Sequence, residues 1–174
     1  MTETLRTPRL DLIPLEPAAI EELLAGDRAG AESMLGVTLP DEFPARGELD
    51  GFLPIQLERM RVSPERRDWM ARMMVSRGNG AAIGHCGFHG PPEVIGRAEI
   101  GYTVFTPFRG QDYAKEAAGA LVDWAFAQGE DEVYAAISPD NAPSLAVVRS
   151  LGFTQTGTQI DEVDGLELVF VRRR

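Results

Sequence analysis

Residues 97–118 hold the densest set of chemistry-bearing side chains in this sequence: Arg-Ala-Glu-Ile-Gly-Tyr-Thr-Val-Phe-Thr-Pro-Phe-Arg-Gly-Gln-Asp-Tyr-Ala-Lys-Glu-Ala-Ala. β-Branched and aromatic residues predict a strand, Pro107 and Gly110 turn a short loop, and the alanines open a helix. A strand that feeds a loop into a helix start makes an anion site. The first backbone N–H groups of the helix lack intrahelical partners, and the helix dipole favours negative charge there. Arg109 adds a planar fork of donors that matches phosphate oxygens. The chemistry on offer is therefore phosphate binding.

Other side chains carry weaker signals. On the predicted strand, Glu99 and Arg97 share one face and Ala98 and Ile100 the other; a cross-strand charge pair is the ordinary use of such a glutamate. Asn141 and Ser144 begin a predicted helix and are ordinary capping residues. His85 and His89 share a strand face without an evident third metal ligand, so they read as edge-strand histidines. Cys86 reads as a small buried hydrophobe, and as the single cysteine it excludes an internal disulfide. The methionines at 60, 70, 73 and 74 suit a core or a groove lining, and Arg172 to Arg174 a solvated tail.

The elements that must position these residues follow from periodicity. A strand over 9–15 precedes helices over 17–25 and 27–35, the second with Asp27 near its cap. A proline-containing loop over 37–47 leads to a helix over 48–62 with Phe52, Ile55, Leu57 and Met60 buried. A strand over 68–76, with helix as the alternative, and a strand over 81–89 flank the turn Arg77-Gly-Asn-Gly80 and form a hairpin, and 94–105 follows as the next strand. A helix over 113–128 carries an apolar stripe through Ala114, Ala117, Ala118, Leu121 and Ala125 and stops at Gly129. A buried strand over 133–137, a helix ending at Gly152 and a closing hairpin turned by residues 161–165 complete the chain. The predicted fold class is mixed α/β: a mostly antiparallel six- to seven-stranded sheet with helices on both faces, in a single domain spanning 1–174.

Composition narrows the function classes. A hydrophobic fraction of 44% and a charged fraction of 25% are ordinary for a globular chain of 174 residues. No apolar run reaches membrane-spanning length and no signal-like segment opens the chain, which predicts a cytoplasmic protein away from membranes. The net charge of −10 argues against direct nucleic-acid binding and suits a cationic substrate. Any phosphorylated ligand must then be met by local basic residues, with Arg109, Lys115 and Arg149 as candidates.

Four segments in order resemble the GNAT superfamily of acyl-CoA-dependent N-acetyltransferases. Arg109-Gly-Gln-Asp-Tyr-Ala114 matches the superfamily's Arg/Gln-x-x-Gly-x-Gly/Ala signature. Glu99-Ile-Gly-Tyr102 and Thr7-Pro-Arg-Leu10 are similar to the branch that contains ribosomal-protein-alanine N-acetyltransferases, and Asn141-Ala-Pro-Ser144 with Leu151-Gly-Phe153 resembles the Asn-x-x-Ser…Leu-Gly-Phe pattern of the fourth family helix. The resemblance implies acetyl-CoA as co-substrate and no metal. Its pantetheine arm would lie along Tyr102, Thr103 and Val104, and its phosphates in the loop of Arg109, Gly110, Gln111, Asp112, Tyr113, Ala114 and Lys115. Asn141 would contact the arm, Ser144 would serve the leaving thiolate, and the N–H of Val104 would polarise the acyl carbonyl. Glu99 would act as general base, directly or through water, with its pKa raised by burial.

Two positions depart from the pattern. Asp112 stands where the family has glycine and brings a carboxylate to a ligand of about four negative charges; a pairing with Lys115 would offset it. Val148 stands where many members place a general-acid tyrosine. A thiol of pKa about 8.5 leaves tolerably without one. The acceptor this implies is a primary amine, foremost a protein N-terminus, a ribosomal protein among the partners; a small-molecule amine, antibiotics included, and a non-catalytic acyl-CoA-binding module are the alternatives, and a homodimer stays open.

Overall fold

The computed structural model describes residues 2–174. Strands β1 (Leu5–Arg6), β2 (Leu10–Pro14), β3 (Ala71–Ser76), β4 (Ala82–Phe88) and β5 (Ile100–Val104) form an antiparallel sheet in that order. Strands β6 (Glu132–Ile137), β7 (Thr154–Asp161) and β8 (Gly165–Arg173) form a second antiparallel sheet in the order β6-β8-β7. The mixed α/β class and antiparallel pairing agree with the sequence. The sheet itself is divided: the two halves touch through a parallel bridge of Glu99 with Tyr134, whose N–H donates to the carbonyl of Ala98 at 2.8 Å. Beyond that contact β5 and β6 part. A gap between them is the main structural departure from one continuous sheet.

Helices cover both faces. On one side α1 (Pro17–Ala25), α2 (Arg28–Leu35) and α3 (Leu53–Val62) pack on Met70, Ala71, Met73 and Phe105. On the other, α5 (Tyr113–Ala127) buries Ala117, Ala118, Leu121, Val122 and Ala125 against Leu10, Leu12 and Ile100. The expected stripe holds, except that Ala114 lies at the cavity described below. Asp27 caps α2 as expected, its carboxylate accepting the N–H of Gly30 at 2.8 Å. The helix predicted over 48–62 begins with a π-turn, Glu48–Phe52. That wider turn shifts the helix phase, so the buried face is Leu53, Gln56, Leu57 and Met60, while Ile55 is half exposed. Residues 64–69 form a 3-10 turn and Pro92–Ile95 a short helix, α4, so that residues 68–69 and 94–95, where the sequence suggested strand, belong to helical turns instead. Proline favours such turns and cannot serve a central ladder.

α6 (Ala142–Ser150) is capped by Asn141, whose side-chain Oδ1 accepts the N–H of Ser144 at 3.2 Å. The closing hairpin turns where expected: Asp161 accepts the N–H groups of Val163 at 2.7 Å and Asp164 at 2.8 Å. No helix among the described residues is long and apolar enough to cross a membrane.

Candidate functional site

The pairing of β5 fixes which of its backbone groups are free. Phe105 donates to Ile83 and His89 donates to Glu99, both at 2.9 Å. In an antiparallel ladder that parity turns Thr103 and Gly101 toward β4, and Tyr102 and Val104 away from it. The N–H and C=O of Tyr102 and Val104 therefore face the gap, a ready template for an extended amide-bearing ligand.

At the end of that edge lies a cavity of about 660 Å³, lined among others by Tyr102, Thr103, Val104, the loop Arg109 to Lys115, Asn141 and Ser144. Its size falls in the ~300–1,000 Å³ range of small-molecule and cofactor sites. All the residues expected to touch the cofactor thus meet in one hollow, together with Phe108, Pro143, Val147 and Ser150, which motif reasoning did not single out. Their signal was only proximity: they neighbour the motif residues along a loop or a helix turn.

Each lining element has a local cause. Gly110 adopts φ 74°, and Asp112 adopts φ 62°, the non-glycine residue with left-handed backbone among those described. Aspartate tolerates that conformation better than most side chains. Its carboxylate makes no cap hydrogen bond to α5, so the first N–H groups of the helix stay available to a ligand. The pairing of Asp112 with Lys115 does not form among the described ion pairs. Arg109 folds back, its Nε donating to the carbonyl of Val104 at 3.0 Å. Arg149 does not line the cavity. The hydroxyl of Tyr102 donates to the carbonyl of Ser144 at 3.2 Å and ties β5 to the start of α6; burial pushes its phenol up to about 12. Val148 is wholly buried in the core, so its side chain offers nothing to the gap.

The first turn of α5 is held from the N-terminal segment. Glu116 accepts from the Thr7 hydroxyl at 2.6 Å, from the Arg9 N–H at 2.8 Å and from Arg9 Nε at 2.6 Å, and the Arg9 guanidinium lies 4.4 Å from the Tyr113 ring centroid. Arg9 also offsets a carboxylate in the first turn of α5, beside the loop from Arg109 to Lys115. The Thr7-Pro-Arg segment thus acts at a distance on the site.

Because Asp112 brings a negative charge and a side chain to the loop, Asp112→Gly is expected to tighten acetyl-CoA binding. A gain of up to ~10-fold corresponds to ~1.4 kcal/mol. Calorimetric titration of both proteins reads it; an unchanged or weaker affinity would show that the loop meets its ligand in another way.

Glu99 stands where β5 and β6 separate and is buried, at 8% exposure. Arg97 meets its carboxylate through Nε at 2.6 Å and Nη2 at 2.5 Å, and His89 Nδ1 lies 3.3 Å away. Burial pushes the carboxyl up, as the sequence suggested, but the hydrogen bond and charge of His89 and the Arg97 guanidinium outweigh it. The net direction is downward, which corrects the expected raised pKa: burial was legible, the two partners were not.

Neither histidine lies on an edge strand: His85 is on β4, which runs between β3 and β5, and His89 follows the end of β4. His85 is buried, stacked on Phe52 at 4.3 Å and close to Phe43. Cys86 is buried as expected, and burial pushes its thiol up to about 12. Among the described residues no group of three or more His, Cys, Asp or Glu side chains is placed to hold a metal ion.

Comparison with known proteins adds a family to this geometry. The profile of the Acetyltransferase (GNAT) domain matches residues 9–154. The uncharacterised N-acetyltransferase p20 of Bacillus licheniformis is 37% identical over 76 residues, 43% of this chain and 43% of that protein. The chain thus aligns with less than half the length of this curated relative. An acetyltransferase from Agrobacterium tumefaciens str. C58 superposes with a TM-score of 0.67 at 28% identity, covering 100% of this chain and 96% of the other. A ribosomal-protein-S5-alanine acetyltransferase from Vibrio fischeri shares the fold with a TM-score of 0.66 at 14% identity, over 98% and 96% of the two chains.

Proposed function

The chain belongs to the GNAT acetyltransferase family, and we propose that it moves the acetyl group of acetyl-CoA to the free α-amino group of a peptide or protein. The observation that carries this reading is the run of β5 backbone at Tyr102 and Val104 that β4 leaves unpaired, with only the Val104 carbonyl taken by Arg109, which starts at the Arg109 to Lys115 loop and runs toward Glu99. Acetyl-CoA fits it by chemistry. The amide-bearing pantetheine arm can pair with the free strand edge, and the pyrophosphate can take the open N–H groups of α5 with Arg109 and Lys115.

The mechanism follows from these placements. The acceptor amine, once neutral, attacks the thioester carbon; the C–N bond forms and the C–S bond breaks. The N–H of Val104 stabilises the negative charge that develops on the acyl oxygen. The thiol leaves as thiolate at a pKa of about 8.5 without a strong acid, next to Ser144. Asn141 holds the start of α6 and lines the arm's path. The Glu99 cluster, at the closed end of the gap, receives the amine's proton.

The acceptor class rests on the weakness of that cluster as a base. With its carboxyl pulled down by Arg97 and His89, the site best serves amines that are already partly neutral. An α-amino group, with a pKa of about 8, qualifies, and a lysine amine at about 10.4 does not. The surplus of acidic residues, with a net charge of −10, attracts such cations. The likeness in fold to an acetyltransferase of a ribosomal protein supports a protein N-terminus, a ribosomal protein's included, in a cytoplasmic setting.

Two peptide sets test this reading: one with free N-termini and no lysine, one N-blocked with internal lysines. Faster acetylation of the first is expected. Faster acetylation of the second, or acetylation of small amines alone, would overturn the acceptor assignment.

A further inference from the structure

If Glu99 belongs to the proton-transfer machinery, both of its oxygens are already engaged. Oε2 takes the two nitrogens of Arg97 at 2.6 and 2.5 Å, and Oε1 faces His89 Nδ1 at 3.3 Å. The carboxylate side chain is 10% exposed, whereas the His89 side chain is 47% exposed. The imidazole, not the carboxylate, meets an incoming molecule.

His89 is held in place from several directions. Its N–H donates to the Glu99 carbonyl at 2.9 Å, and its own carbonyl accepts from Arg59 Nη1 of α3. A carboxylate oxygen only accepts, so the nitrogen facing it, Nδ1, is the one placed to donate, and Nε2 is the ring nitrogen turned away from Glu99. The position of Nε2 is fixed by Gly101: a Cβ there would come within 2.9 Å of it. The imidazole therefore lies over the glycine of β5, one residue from Tyr102, whose backbone opens onto the gap. A side chain at 101 would push the ring off that place.

We propose that His89 Nε2 is the proton acceptor for the amine, with Glu99 as the residue that positions and polarises it and Arg97 as the residue that holds Glu99. This rests on the acetyltransferase reading and deepens it. The step balances as follows. The ammonium gives one proton to His89 Nε2 and becomes a neutral amine. The amine attacks the thioester carbon, the C–S bond breaks, and the thiolate takes one of the two protons on the new amide nitrogen, which leaves the amide its single N–H. The imidazolium then returns its proton to solvent. Imidazole suits such a role near neutral pH, and a positioned base contributes ~100-fold or more. The charged groups around the ring are Glu99 and Arg97 from the segment before β5, Arg59 from α3 and Asp161 from β7.

Thiol release from acetyl-CoA, with the fastest amine of the peptide sets, tests the assignment in wild type, His89→Ala, His89→Gln and Glu99→Gln. His89→Ala is expected to lower kcat by ~100-fold while acetyl-CoA affinity stays at the wild-type value, and added imidazole is expected to restore part of the rate. His89→Gln, which keeps a hydrogen-bonding side chain of similar reach, is expected to melt with wild type yet to be as slow as His89→Ala. Glu99→Gln is expected to be impaired less than either. A His89→Ala protein with near wild-type kcat, alongside a Glu99→Gln protein slowed ~100-fold, would overturn the assignment and leave Glu99 as the base. A wild type that binds acetyl-CoA but releases no thiol with any amine would instead overturn the acetyltransferase reading and this step with it.

Discussion

Gly84→Ala is expected to destabilise the protein by at least ~3 kcal/mol, because β4 and β5 cannot stay paired around a methyl group. A Cβ at that position would lie 2.1 Å from the carbonyl oxygen of Thr103 and 3.0 Å from the Cα of Val104. Both atoms are backbone of the strand that borders the gap, so no side-chain rotation relieves the clash. For a chain of this size the loss corresponds to a fall in Tm of ~6–12 °C. Gly119→Ala is the matched control. In mid-α5 its Cβ would meet only Leu151 Cδ2 at 3.6 Å, an ordinary contact, and alanine is a better helix former by ~1 kcal/mol. The two alanines should therefore move Tm in opposite directions. A Gly84→Ala protein that melts with wild type would mean the β4–β5 register is wrong, and with it the assignment of free backbone at Tyr102 and Val104.

The second large effect is acid lability set by His85. Burial among Phe43, Phe52 and Phe105 pushes this imidazole down from 6.5 to about 4, and Nε2 has no hydrogen-bond partner. Glu48, 4.0 Å away, is the nearest charged side chain. Below about pH 6.5 the unfolded chain binds a proton that the folded protein refuses, so stability is complete above that pH and drains as pH falls toward about 4. The drop across that window is ~3 kcal/mol. Glu99 and Glu116, whose carboxyls the fold pulls down, contribute in the same direction at lower pH, below the ordinary carboxylate range of about 4.3. Urea midpoints at pH 7 and pH 5 separate the contributions. Wild type should lose stability between them, and His85→Phe should lose markedly less. Equal losses in both proteins would show that His85 is not held neutral by the fold.

What the sequence made legible follows from which signals are local. Strand, turn and helix start lie next to one another in residues 97–118, so the loop after β5, the helix cap at Asn141 and the buried stripe of α5 were all readable from types and spacing. The gap was not, because it depends on where β5 and β6 part, a property of two strands about thirty residues apart. The burial of α3 was misread for a physical reason. A π-turn at Glu48–Phe52 rotates the helix that follows, and a 3.6-residue period cannot anticipate an inserted residue. Glu99 shows the same limit in electrostatics: the strand pattern placed it beside Arg97, but only the β4–β5 register brings His89 to its other oxygen. His89 itself looked like a spare edge residue until that register set it over Gly101.

The central claim is that the free β5 edge and the α5 loop present acetyl-CoA to an amine. Its most direct test is the mass of a lysine-free peptide with a free N-terminus after incubation with acetyl-CoA and the protein. The account predicts a gain of one acetyl group on the α-amine, matched by one free thiol per peptide modified. A protein shown by calorimetry to bind acetyl-CoA that leaves both the peptide and the thioester unchanged would contradict it.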